Sequence, residues 1–106
     1  MDKLTNNLYN IMYTKNTEVG IRLTDASHPV FKAHFPNYPV LPAFLQIDII
    51  SEIFNLDIIG IIKSKFIEPL FPLDELVIYR EEQNKNIKIK FKKKDKITSE
   101  IIVDIR

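Results

Sequence analysis

The sequence predicts an α+β domain in which one antiparallel sheet curls around one long helix. Three observations lead there. Two partly alternating apolar–polar segments open the chain, a single helix-period segment follows a proline-rich stretch, and four more strand-like segments close it. No internal repeat, low-complexity linker or composition break divides the 106 residues, so residues 1–106 read as a single domain.

Residues 8–13 alternate in part, and Lys15-Asn16 offers a turn. Val19, Ile21 and Leu23 then alternate cleanly, so the two segments form an opening hairpin. Asp25-Ala26-Ser27-His28-Pro29 breaks the second strand, and Val30-Phe31-Lys32 suits a short helical turn. From Ala33 to Leu41 an extended, irregular backbone is expected. Pro36, Pro39 and Pro42 each fix φ and turn the preceding residue away from the helical region. Pro42 suits the first turn of a helix, where its missing N–H costs nothing.

The helix runs from Ala43 to about Asn55, where Leu56-Asp57 interrupts the pattern. Leu45, Ile47, Ile49, Ile50, Ile53, Phe54 and Leu56 give it a broad apolar face. Asp48, Ser51, Glu52 and Asn55 fall at i, i+3, i+4 and i+7 and form one narrow polar stripe. Residues 58–67 are rich in isoleucine and make a long strand that Pro69 and Pro72 end. Residues 75–80 form the next strand and Gln83-Asn84-Lys85-Asn86 a turn. Residues 87–91 alternate almost ideally, Lys94-Asp95 turns again, and residues 97–105 close the sheet with Ile101, Val103 and Ile105 on one face.

Composition narrows the function classes. A chain of this length buries a full core only marginally, and association is a natural way to bury more. With no cysteine there is no disulfide, thiolate metal site or cysteine nucleophile. No metal-ligating constellation or phosphate-cradling glycine loop is visible, so no cofactor or metal is expected. The first ten residues are polar and unlike a signal peptide, and the longest apolar runs are about five residues against the roughly 20 that span a bilayer. A soluble, cytoplasmic protein with no membrane span is the expectation.

The net charge of +1 hides an asymmetry, because seven lysines stand against one aspartate between Lys85 and Lys96. Lys88, Lys90 and Lys92 alternate with Ile87, Ile89 and Phe91, as on a solvated strand face. Docking of an acidic partner is the second reading. Nucleic acid is the third and is not expected, since no RNA-binding motif or aromatic stacking platform accompanies the lysines.

Two groups carry the candidate chemistry. His34 sits in the proline-stiffened segment and Asp48 on the polar stripe of the helix, where it either lies on a solvated face or serves a site. His28, before Pro29, reads as structural. The run His34-Phe35-Pro36 … Pro39-Val40-Leu41-Pro42 … Leu45-Gln46-Ile47-Asp48 resembles the active-site segment of the hot-dog-fold 3-hydroxyacyl-acyl-carrier-protein dehydratases. The stretch Lys65-Phe66-Ile67-Glu68-Pro69 … Pro72-Leu73-Asp74-Glu75-Leu76 resembles a second segment of that family. Aspartate at position 48 is closer to the decenoyl-isomerising and short aryl-polyene branches.

The resemblance covers nearly the whole chain and implies a hot-dog fold, with dehydration of a 3-hydroxyacyl thioester in fatty-acid or polyene-type biosynthesis. It implies His34 as base, Asp48 as acid or water-orienting group, and the backbone N–H of Ala43 as donor to the thioester carbonyl. Phe35 and Phe44 would contact substrate. The carrier would be acyl carrier protein or coenzyme A.

Such a pair suits the reaction. Removing water takes a base for the weakly acidic C2 proton and an acid for the departing C3 hydroxyl. Imidazole fits the first role, and a carboxyl group held protonated in an apolar site fits the second. Glu52, one turn beyond Asp48, would add like-charge repulsion if close. Residues 34–42 can reach up to roughly 27 Å and the helix from Pro42 to Asp48 spans only about 9 Å, so nothing local joins the two groups. In the family they meet across a homodimer interface, which implies a homodimer or higher homo-oligomer here. Ala33, Asn37, Ala43 and Leu73 stand where the family usually has glycine. Two other readings stay open: a hot-dog thioesterase, which has less need of His34, and a non-catalytic acyl-binding or assembly subunit, which would explain the replaced glycines.

Overall fold

The computed structural model describes residues 3–33 and 37–106. In chain order they form β1 (Tyr9–Lys15), β2 (Glu18–Leu23), α1 (Pro29–Ala33), α2 (Ala43–Phe54), β3 (Ile58–Phe66), β4 (Glu75–Gln83), β5 (Asn86–Lys93) and β6 (Lys96–Ile105). The six strands make one antiparallel sheet in the order β1-β2-β4-β5-β6-β3. The expected elements are all present. The β5–β6 turn is the expected pair, with Lys94 and Asp95 both left-handed at φ 49° and 66°, as a two-residue type I′ hairpin requires.

Period-two alternation explains the core. Val19, Ile21 and Leu23 of β2, Leu76 and Ile78 of β4, Ile87, Ile89 and Phe91 of β5, and Ile101 and Val103 of β6 are all buried in one cluster. Leu45, Ile49 and Ile50 of α2 belong to the same cluster, so the helix lies in the hollow of the sheet. Burying each of these three side chains contributes about 1.5–3 kcal/mol. Tertiary burial therefore holds α2, whose N-cap residue, Pro42, makes no side-chain capping bond. Its end is well made. Asn55 takes a left-handed conformation, and the Leu56 N–H reaches back to the Ser51 carbonyl at 3.0 Å, with Leu56 itself buried.

Three local expectations change. Pro42 is the residue before the helix, with φ −58° and ψ 139°, and not in its first turn. Its ψ stays extended while its carbonyl already accepts the Leu45 N–H at 3.0 Å. Ala33 is not extended but ends α1, a short helix that the His28 carbonyl starts by accepting from Phe31 and Lys32. Strands β4 and β5 also run longer than the apolar alternation, because ladder pairing continues through Glu81↔Lys88 and Glu82↔Ile87 to Gln83↔Asn86.

The two sheet edges differ from the middle. Among the described residues β3 pairs only with β6, and Ile59, Ile61, Ile62 and Phe66 are exposed along it. An exposed apolar edge strand is a template for pairing.

One of the replaced glycines is visible as strain. Phe71-Pro72-Leu73-Asp74 is a turn closed by Asp74 N–H to Phe71 O at 3.1 Å, with Leu73 at φ 68°. That is the position where a type II turn takes glycine, and a β-carbon there costs about 1–2 kcal/mol. Leu73 is 51% exposed and adds little packing in return. Leu73→Gly is therefore expected to stabilise the chain by about 0.5–1 kcal/mol after glycine's own entropic cost, a rise of a few degrees in thermal melting. An unchanged or lower melting temperature would show that the leucine contributes something beyond the turn. Ala33 and Ala43 are both helical and carry their methyl groups without such strain.

Candidate active site

The polar stripe of α2 is where the sequence places a carboxylate, and Asp48 stands there, exposed, with Ser51 and Glu52 half-buried beside it. Together with Lys3, Leu4 and Thr5 these residues line a cavity of about 300 Å³. A larger depression of about 690 Å³ shares Lys3, Thr5 and Glu52 with it and continues to Tyr9, Asn10 and Ile11. Within one chain Asp48 thus faces a groove open to water, with Lys3, Thr5, Ser51 and Glu52 around it.

Glu52 is fixed by two hydroxyls. Tyr9 Oη donates to Glu52 Oε1 at 2.9 Å, and Thr5 Oγ1 donates to Glu52 Oε2. Tyr9 faces inward because its cross-strand partner is the buried Leu23, which carries its ring toward α2. Burial, and then the hydrogen bond to Glu52, push the Tyr9 phenol far above its usual titration range, so it remains a donor. Neither Thr5 nor Tyr9 stood out in the sequence. The signal was a tyrosine at an inward position of an edge strand, facing a helix whose polar stripe holds a glutamate.

Ala43 is the first residue of α2. The first amides of a helix have no partner within it and point along the positive end of the dipole, which suits developing negative charge. Asp48 lies about 7.5 Å of helical rise beyond Ala43. Phe44 is 52% exposed at the same helix start. His34 and Phe35 lie outside the described residues, as does the backbone between α1 and Asn37. Tyr38 meets Phe71 edge-on at 5.6 Å, and the Leu41 N–H donates to the Leu70 carbonyl at 2.8 Å. These contacts dock the approach to the helix start against the turn that holds Leu73.

Gln46, on the helix face opposite the stripe, is buried and accepts from Ser99 Oγ at 2.5 Å. It locks α2 to β6 and is structural. His28 is structural as expected. Its Nδ1 accepts the Val30 N–H at 3.0 Å, which leaves Nε2 as the donor to the Asn6 carbonyl at 2.7 Å.

The lysine-rich segment behaves as a strand face. Ile87, Ile89 and Phe91 are buried while Lys88, Lys90 and Lys92 stand on the other side. Lys88 lies opposite Glu81, Lys90 opposite Glu100, and the Lys92 ammonium sits 5.0 Å from the Tyr79 ring centre. Toward the β5–β6 turn Lys93 pairs with Asp74 at 2.8 Å and Lys96 with Glu68. Among the described residues no group of three histidine, cysteine or carboxylate side chains is placed to hold a metal ion. No described helix is long and apolar enough to cross a membrane.

Comparison with known proteins agrees with this architecture. The chain is 26% identical over 78 residues to a 3-hydroxyacyl-acyl-carrier-protein dehydratase FabZ from Hydrogenobaculum sp. (strain Y04AAS1), a match covering 59% of this chain and 53% of the relative. It is 33% identical over 73 residues to the FabZ of Desulforamulus reducens, covering 57% and 51%. The matches thus span about half the length of these curated relatives. Among solved structures, one described as the dehydratase heterocomplex ApeI:P from Xenorhabdus doucetiae superposes with a TM-score of 0.71 at 24% identity, covering 91% of this chain and 93% of that one. An uncharacterised protein from Erwinia carotovora subsp. atroseptica superposes with a TM-score of 0.60 at 17% identity, covering 92% and 91%. The fold is the α+β hot-dog fold that the sequence predicted. Residues 12–102 match the family model described as ApeI dehydratase, and the chain belongs to the ApeI-like dehydratase family.

Proposed function

We propose that this chain dehydrates a 3-hydroxyacyl thioester to the 2-enoyl thioester, in a site shared between two copies of the chain. The observation that carries the reading is the placement of Asp48 on the groove side of α2, one short helix segment from Ala43 at the helix start. Membership of the dehydratase family and the relatives' action on carrier-linked acyl groups support it.

In the reaction His34 takes the C2 proton and the thioester oxygen gathers the resulting charge against the Ala43 N–H. Asp48 then delivers a proton to the C3 hydroxyl, or orients it, as the C3–O bond breaks and water leaves. One chain leaves Asp48 exposed to water, so a second chain has to close the site. The edge of β3 is the surface for it, with Ile59, Ile61 and Ile62 exposed on a strand that ends the sheet among the described residues. Lys63 and Lys65 follow on the same strand, with Phe66 exposed beyond them. The carrier is acyl carrier protein, as for the FabZ relatives, or coenzyme A.

Mass spectrometry of a 3-hydroxyacyl thioester incubated with the purified chain tests the reading. Loss of one water from the intact thioester is the expected result. Release of a free acid would make the chain a thioesterase, and absence of turnover across chain lengths and both carriers would make it a non-catalytic subunit.

A further inference from the structure

We infer that Glu52 is a positioning residue, which holds the N-terminal segment as one wall of the Asp48 groove through Thr5 and Tyr9. The inference rests on the dehydratase reading for its kinetic consequence and on geometry for the rest. Residues 3–8 precede β1 and have no ladder partner; turn bonds such as Asn6 N–H to Lys3 O at 3.0 Å and Leu8 N–H to Thr5 O at 3.0 Å shape them. Leu8 fixes one end of the segment in the core, and His28 holds Asn6 from the α1 side. The stretch Lys3-Leu4-Thr5 faces α2, and there Glu52 binds it.

The latch is chemically well suited to stay shut. An ionised carboxylate only accepts, so both hydroxyls turn toward it, and hydrogen bonds to a charged acceptor are about twice as strong as neutral ones. Thr5 is buried and Tyr9 half-buried, so water competes poorly for either donor. The wall thus held supplies Lys3, Leu4 and Thr5 to the cavity whose other side is Asp48, Ser51 and Glu52. One carboxylate of the stripe faces the open groove while the other, a turn away, sets the groove's width.

Amide hydrogen exchange and steady-state kinetics on the whole chain test this together. In Glu52→Ala the amides of residues 3–9 are expected to lose protection while those of α2 and β4–β6 keep theirs, and kcat is expected to fall about tenfold or more with KM changed less. Glu52→Gln keeps an acceptor oxygen and should retain turnover within about threefold, which separates positioning from charge. Tyr9→Phe combined with Glu52→Ala should be no worse than Glu52→Ala alone, because both remove one device. Full protection of residues 3–9 in Glu52→Ala would overturn the latch. Lost protection with kcat unchanged would overturn its part in the reaction. A wild-type chain without dehydratase activity would instead remove the dehydratase reading and the kinetic role with it, leaving the exchange result to decide the latch.

Discussion

Asp48→Asn is expected to keep the fold and to lower turnover of a 3-hydroxyacyl thioester by about 10²–10⁴-fold, the range for loss of a positioned general acid or base. The side chain is exposed and lies outside the buried cluster, so the change in stability should stay within about 0.5 kcal/mol. Asparagine preserves size and polarity but cannot give up a proton at C3. The loss should therefore fall on kcat, with KM near its original value. His34→Ala is expected to act as strongly, since the C2 proton then has no base. The two variants also separate the readings. A thioesterase would lose activity with Asp48 and keep it without His34; a dehydratase loses it with either. Thermal melting beside the kinetics checks that each loss is chemical.

Much of the architecture was legible because burial follows period two on the inner strands β4 and β5 and along most of β6, although not on the edge strands β1 and β3. Val19-Ile21-Leu23 and Ile87-Ile89-Phe91 name both the strands and the face that meets α2. The helix was legible from Leu45, Ile49 and Ile50 in the same way. The polar contacts were less so. Gln46 sits among apolar neighbours in sequence, and only the pairing of β6 with α2 shows that Ser99 waits for it 53 residues away. Glu52 read as a stripe residue that would add like-charge repulsion to Asp48, and not as a hydrogen-bond acceptor, because its partners Thr5 and Tyr9 come from a segment more than 40 residues earlier. Long-range hydrogen bonds of this kind leave no periodic trace. The strain at Leu73 was visible from the sequence only as a departure from a family pattern, and the left-handed φ supplies its physical meaning. Isoleucine content correctly gave β3 as a strand but not as an edge, since strand order depends on pairings that composition does not encode.

That edge supports the second large prediction. If two chains join through β3, lysine at both Ile59 and Ile62 should give a monomer on size-exclusion with light scattering and should remove nearly all dehydratase activity. Both residues are more than half exposed, Ile59 at 52% and Ile62 at 56%, so the charges cost the monomer little. Loss of activity in a folded monomer would mean that one chain lacks part of its own site. Mixing goes further. His34→Ala and Asp48→Asn are each expected to be inactive alone, yet in a symmetric dimer with shared sites the hybrid holds one site with both groups intact. Random exchange then restores about a quarter of wild-type activity, since about half of the dimers are hybrids with one working site in two. Recovery at that level would place the base and the acid on different chains. No recovery, with exchange verified by mass spectrometry, would return both groups to a single chain and leave β3 without a catalytic role. A wild-type chain that is itself monomeric and inactive, and gains activity only with a second, different hot-dog chain, would move the same edge and the same argument to a heteromeric pair.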